Sequence, residues 1–161
     1  MIRILFVCHG NICRSPMAEF IFKDMVRRAG LTEYFTVASC ATSREEIWGG
    51  VGNPVYPPAR AELARHGLDC GDKRAVQLTA ADYQAYDLLI GMDSANIRNM
   101  HRMLCGDPEG KIHRLLEYAG ENADVADPWY SERFDVAYQD IERGCAALLQ
   151  SLTNHVKRGT V

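Results

Sequence analysis

The chain has 161 residues, 47% of them hydrophobic, which is enough apolar material for one core and a single domain over residues 1–161. Its formal charge is −3 with acidic and basic residues mixed along the chain, so it offers no basic footprint for nucleic acid. The first residues lead straight into a strand pattern without a leader signature, and no apolar run approaches the ~18 residues needed to span a bilayer, so no membrane association and a cytoplasmic location are expected.

Ile2–Val7 reads as a strand, an apolar run that gives way to Cys8-His-Gly-Asn-Ile-Cys-Arg14-Ser15-Pro16. Pro16 suits the first turn of a helix, and Met17, Phe20, Ile21, Met25 and Val26 form an apolar stripe that ends near Gly30. Phe35–Ala38 is a second strand pattern. Residues 42–58, rich in Gly and Pro, are expected to be irregular, and a helix follows from about Pro58 to His66 before Gly67. Thr79-Ala-Ala-Asp82 has capping-box spacing and predicts a helix start. Asp87–Gly91 is a third strand, Asp93 or Ser94 caps a helix toward Met103, and Ile112–Leu115 is a fourth strand pattern. Residues 120–131, with Asp127-Pro-Trp-Tyr130, form a second irregular stretch. From about Arg133 to Leu152 a closing helix carries Phe134, Ala137, Tyr138, Ile141, Cys145, Leu148 and Leu149 on one side. Strands alternating with helical patterns predict an α/β fold, a parallel sheet covered on both faces. The two irregular stretches suit surface loops beside a site. Ligands of such sheets bind beyond the carboxyl ends of the strands, and Cys8 lies at one such end.

Five residues separate Cys8 from Arg14, enough for the chain to curl once with its N–H groups inward and for the guanidinium to close the ring. The following helix aims its positive end at the same place, so the turn is built to hold an oxyanion and to favour a thiolate at Cys8. Gly10 and Asn11 tolerate the unusual backbone angles such a cradle requires. Arg14 brings a fork that matches phosphate, and the Ser15 hydroxyl can donate to the thiolate. Attack of Cys8 on phosphorus would give a phosphocysteine. A buried structural cysteine would leave Gly10, Arg14 and Ser15 unexplained, and an arginine at a helix N-terminus opposes the macrodipole unless an anion is present. Expelling an alkoxide or phenoxide requires a general acid. Asp127 qualifies, held extended by Pro128 and followed by two aromatics, yet composition does not separate it from Asp107, Asp124 or Asp135. The six cysteines, at 8, 13, 40, 70, 105 and 145, are dispersed and read as reduced thiols. No CxxC or HxxxH pair appears, so neither metal nor cofactor is expected.

The run Val7-Cys-His-Gly-Asn-Ile-Cys-Arg-Ser-Pro-Met-Ala-Glu19, with Asp127-Pro-Trp-Tyr130 far downstream, resembles the low-molecular-weight protein tyrosine phosphatases. Ala41-Thr42-Ser43, Gly52-Asn53-Pro54, Arg65-His66-Gly67, Tyr86-Asp87 and Met92-Asp93 fall in family order, so the resemblance covers nearly the whole chain. It implies a three-layer αβα fold with a central four-stranded parallel sheet and a phosphate loop between strand 1 and helix 1. It also implies Cys8 as nucleophile, Arg14 as phosphate clamp and Asp127 as general acid, then base. His9, Gly10, Asn11, Ile12, Cys13 and Ser15 would line the phosphate site, with Asn11 holding the loop's backbone, supported by Ser15, His66 and Ser43. Trp48, Trp129 and Tyr130 would wall the aryl slot, and Cys13 would trap an oxidised Cys8 as a disulfide. The partners implied are phosphotyrosine-containing proteins and a cognate tyrosine kinase, with the chain a monomer or a weak self-associate. His9 departs from the small or apolar residues common at its position, and the loop from Arg44 to Gly50 is longer than usual. Three alternatives are set beside this. An arsenate reductase wants a relay of further cysteines, but Cys70 and Cys105 form no close pair. A phosphoarginine phosphatase carries threonine where this chain has Ile12. A non-catalytic phosphotyrosine-binding module would lack the nucleophile or the acid.

Overall fold

Residues 1–157 are described by the computed structural model; the last four residues of the expected 1–161 domain lie outside the described residues. In chain order the elements are β1 (Ile2–Cys8), α1 (Arg14–Arg28), β2 (Phe35–Ala41), β3 (Ile47–Trp48), β4 (Val51–Gly52), α2 (Pro57–Arg65), α3 (Asp82–Ala85), β5 (Leu88–Gly91), α4 (Ser94–Met103), β6 (Ile112–Arg114), α5 (Pro128–Ser131) and α6 (Phe134–Lys157). Short 3-10 turns cover Thr32–Tyr34 and Leu115–Ala119. β1, β2, β5 and β6 form a parallel sheet in the order β2-β1-β5-β6. Side chains alternate across a strand, and in β1 this builds two cores. Ile4, Phe6 and Cys8 face Met17 and Phe22 of α1 with Ile141 and Leu148 of α6, whereas Leu5 and Val7 face Tyr83, Leu89 and Met100. The result is a three-layer αβα fold.

Several boundaries differ from the sequence reading for local reasons. β2 runs three residues past Ala38 because it pairs with the whole of β1, from Ile2↔Phe35 to Cys8↔Ala41. The polar Ser39 hides this continuation, since its buried hydroxyl is satisfied by the side chains of Asn11 and Glu19. Inside the stretch expected to be irregular, β3 and β4 make an antiparallel hairpin turned by Gly49 and Gly50, both at positive φ (57° and 79°). The second such stretch contains α5. Thr79 does not cap a helix; its N–H donates to Asp82 Oδ2 at 2.8 Å, and α3 begins only at Asp82. Asp93 does cap α4, in a capping box with Asn96. α6 extends past Leu152 to Lys157. No helix of the described residues is long and apolar enough to cross a membrane. The carboxyl ends of β1, β2 and β5 put Cys8, Ala41 and Gly91 side by side, and the candidate site opens above them.

Candidate active site

The loop between β1 and α1 is shaped from outside by its own carbonyls. Cys8 O accepts from Thr42 N at 2.9 Å, His9 O from Ser43 N at 3.0 Å and Ile12 O from Tyr56 N at 2.9 Å. In a trans peptide the C=O and the following N–H point opposite ways, so these three outward carbonyls turn the N–H groups of His9, Gly10 and Cys13 inward. Asn11 takes the left-handed backbone, at φ 58°. Gly10 does not share that geometry. Its missing side chain matters for space, because a Cβ there would press on Glu46 Cγ at 3.3 Å.

The Cys8 sulfur is the focus of three donors. Asn11 N donates to it at 3.3 Å and Ser15 N at 3.4 Å, while Ser15 Oγ lies 2.9 Å away. The proton on that hydroxyl is oriented by a chain of side chains behind the loop. Ser39 donates its proton to Glu19 Oε1 at 2.6 Å and therefore accepts from Asn11 Nδ2 at 2.9 Å. The same amide donates to Ser15 Oγ at 2.8 Å, which leaves Ser15 to turn its own proton to sulfur in preference to Cys40 O, 3.5 Å off. Asn11 Oδ1 is filled by Val76 N at 3.0 Å. Lys23 and Lys73 flank the buried Glu19 at 2.6 and 3.7 Å, and Lys73 also donates to Ser39 O. Burial pulls the Lys73 ammonium below its usual pKa, opposed in part by Glu19.

Arg14 is 3% exposed at the start of α1. Its Nη1 donates to Asp93 Oδ2 at 2.7 Å and to Val125 O at 2.8 Å, and Nη2 lies 3.7 Å from Asp127 Oδ2. Burial works against the charge, but Cys8 and Asp93 outweigh it and hold the guanidinium above its ordinary pKa. Asp127 caps α5, its Oδ1 accepting from Trp129 N at 3.0 Å, with Pro128 as the first helical residue. One carboxylate oxygen is thus fixed by the helix and the other faces Arg14.

These groups meet in one cavity of about 410 Å³ lined by His9, Gly10, Ile12, Cys13, Trp129 and Tyr130 as well as Cys8, Asn11, Arg14 and Asp127. Ser15 lies behind the sulfur. Glu45 and Glu46 also line the cavity and were missed by sequence reasoning, although they sit in the Gly- and Pro-rich loop expected beside the site; Glu45 pairs with His9 at 3.0 Å. Burial and the negative groups around Cys13 push its thiol well above the ordinary value. Two expected residues, His66 and Trp48, lie elsewhere, and Ser43 supports the loop through its backbone. His66 does not support Asn11, because it stacks on Tyr138 at 3.7 Å and hydrogen-bonds Glu62 at the end of α2. Ser39 and Val76 hold Asn11 in its place. Ser43 buttresses the loop through its backbone N–H, and its hydroxyl accepts from Glu45 N. Trp48 is 74% exposed on the β3–β4 hairpin and does not line the cavity, because the glycine turn carries it outward. Among the described residues no group of three or more His, Cys, Asp or Glu could hold a metal ion.

Residues 3–158 match the family described as low molecular weight phosphotyrosine protein phosphatase. The chain belongs to this family. Among its phosphatase relatives is a low molecular weight protein-tyrosine-phosphatase of Bacillus subtilis, YfkJ, 38% identical over 154 residues that cover 94% of this chain and 96% of the relative. The crystal structure of YfkJ superposes with a TM-score of 0.88 at 36% identity, covering 96% of each chain. The human low molecular weight phosphotyrosine protein phosphatase is 35% identical, covering 91% of this chain and 93% of the human one. A Drosophila protein described as an arginine phosphatase shares the phosphatase fold with a TM-score of 0.82 at 30% identity, covering 92% of this chain and 96% of that one.

Proposed function

We propose that this phosphatase hydrolyses phosphotyrosine in proteins through a phosphocysteine on Cys8. The cradle of inward N–H groups and the free side of the Arg14 guanidinium hold the phosphoryl oxygens as charge spreads over them. The Cys8 thiolate forms the S–P bond as the P–O bond to the aryl group breaks, and Asp127 gives its proton to the departing phenolate oxygen. Water then attacks phosphorus, Asp127 takes the proton, and sulfur leaves as a thiolate that Ser15 receives with its hydroxyl proton. The observation that carries this reading is the convergence of Asn11 N, Ser15 N and Ser15 Oγ on one sulfur that shares a cavity with Arg14 and Asp127. Trp129 and Tyr130, 52% and 85% exposed, suit the two faces of an aromatic ring. Cys13, in the same cavity, is assigned the trapping of an oxidised Cys8 as a reversible disulfide.

Phosphoarginine is the competing substrate, since a relative of the same fold is described as an arginine phosphatase. Ile12, which lines the slot, offers a guanidinium no hydrogen bond, and this favours the aryl ester. Turnover of a phosphotyrosyl peptide, a phosphoarginyl peptide and p-nitrophenyl phosphate decides between them. The tyrosyl and nitrophenyl esters are expected to react, and Cys8→Ser to lower their turnover by about 10³-fold or more; preference for the phosphoarginyl peptide would reverse the assignment. The same reading takes the chain as one domain over 1–161, a cytoplasmic monomer or weak self-associate acting on the products of a tyrosine kinase.

A further inference from the structure

A general acid must come within hydrogen-bond reach of the leaving oxygen, yet residues 121–127, which deliver Asp127, have no regular secondary structure. We propose that Arg114, at the end of β6 and outside the catalytic cavity, is the positioning residue for Asp127. It clips this loop to the sheet and to the N-terminus of α4, which fixes where the acid meets the leaving group. The proposal rests on the reading of Asp127 as the acid.

Arg114 is largely buried, its side chain 14% exposed, and its fork joins three acceptors. Nη1 donates to Asp124 Oδ1 at 2.7 Å and to Ser94 Oγ at 2.9 Å, and Nη2 donates to Asn122 Oδ1. Asp124 Oδ1 accepts in addition from Ser94 N at 3.0 Å and Ser94 Oγ at 3.1 Å. Sheet, helix terminus and loop are therefore tied around one carboxylate oxygen. Partial burial raises the Asp124 pKa, but the hydrogen bonds from Arg114 and Ser94 outweigh it and keep the group below its ordinary value. The next residue hands the position on to the catalytic side. Val125 is fully buried, its N–H donating to Met92 O at 2.9 Å and its carbonyl accepting from Arg14 Nη1 at 2.8 Å. Asp127 follows two residues later. Asn122 and Asp124 are themselves exposed, so hydrogen bonds rather than packing hold them: the guanidinium at both residues, joined by Ser94 at Asp124. A lysine, with a point charge in place of a planar fork, cannot reproduce the three contacts.

The test is kcat/KM across aryl phosphates whose leaving groups differ in basicity, for the wild type, Arg114→Met, Arg114→Lys, Asn122→Ala and Asp127→Asn. A misplaced acid hurts poor leaving groups most. Arg114→Met is expected to lose about 10- to 100-fold with phenyl phosphate and less than about threefold with p-nitrophenyl phosphate. Competitive inhibition by inorganic phosphate is expected to change little, because the loop N–H groups and the Arg14–Asp93 pair do not depend on Arg114, and Arg114→Lys recovers only part of the loss. Should Arg114→Met fail to fold, Asn122→Ala, at an exposed position, is expected to show the same leaving-group bias at smaller amplitude. A uniform loss or no loss in a folded Arg114 or Asn122 variant, beside a biased loss in Asp127→Asn, overturns the role of Arg114 alone. An unbiased Asp127→Asn overturns the acid assignment and this proposal with it.

Discussion

Asn11 serves the loop in two ways that a pair of substitutions separates. Its backbone sits at φ 58°, and its side chain makes hydrogen bonds to Ser15, Ser39 and Val76. Asn11→Gly keeps the backbone geometry and removes the bonds; Asn11→Ala removes the bonds and adds a left-handed penalty of about 1 kcal/mol. Both variants are expected to lose turnover on p-nitrophenyl phosphate, because the Ser15 proton is no longer directed at sulfur, and thermal melts should place the alanine variant below the glycine one. Asp127→Asn tests a different link. Its kcat/KM should fall steeply with phenyl phosphate and little with p-nitrophenyl phosphate, and equal losses would remove it from the acid role. At this scale the sequence was readable where chemistry is local. Cys8, Asn11, Arg14 and Ser15 lie within one turn, so spacing alone brings them together. Asp127 is more than a hundred residues away and needed the family resemblance to be chosen from the other aspartates. Ser39, on β2, and Val76, in the segment between α2 and α3, reach Asn11 from distant parts of the chain, which no short-range pattern marks, and His66 was misplaced because order along the chain does not fix which way a helix end points.

Gly144 in α6 shows an element whose packing overrides its propensity. Alanine in a helix interior ordinarily gains about 0.5–1 kcal/mol over glycine. Here the added Cβ would stand 2.5 Å from Leu115 Cγ and 3.1 Å from both of its methyls, where the helix crosses the turn after β6. Gly144→Ala is therefore expected to destabilise by about 1–3 kcal/mol, read as a lower urea midpoint with unchanged slope. The helices α1, α2, α4 and α6 and all four sheet strands were located to within a few residues, apart from the ends of β2 and α6, because apolar residues recur in or beside them between turn signals. The hairpin and α5 were not. β3–β4 rests on two residues per strand and a Gly-Gly turn, α5 on one turn capped by Asp127, and neither carries enough periodicity to stand out. That loss matters for function, since the hairpin orients Trp48 away from the slot and α5 fixes one oxygen of Asp127.

For the whole molecule, long-range carboxylates set the response to acid. Asp107 accepts from Tyr83 Oη and from the N–H groups of Lys111 and Ile112, joining α3 to the approach to β6. Partial burial raises its pKa, but these hydrogen bonds prevail and lower it below the usual carboxylate value. Asp87 is lowered by its hydrogen bond and charge pairing with Arg3, which tie the start of β1 to the approach to β5. A carboxyl more acidic in the folded state than in the unfolded one contributes stability above its unfolded pKa, near ~3.9, and that contribution is lost as pH falls through the folded value. Urea midpoints are expected to hold near neutrality and drop below about pH 4; Asp107→Asn should be less stable at pH 7 and show a shallower acid decline. The layered architecture was legible from the alternation of strands and helices. The order β2-β1-β5-β6, which puts Cys8 between two neighbouring strand ends, came only with the structure. Acid quenching during turnover of a phosphotyrosyl substrate, followed by mass spectrometry of the peptide around residue 8, tests the covalent chemistry most directly. Phosphate is expected on Cys8 of the wild type and at no other position; phosphate on another residue of the wild type, or undiminished turnover in Cys8→Ser, would contradict a mechanism centred on this sulfur.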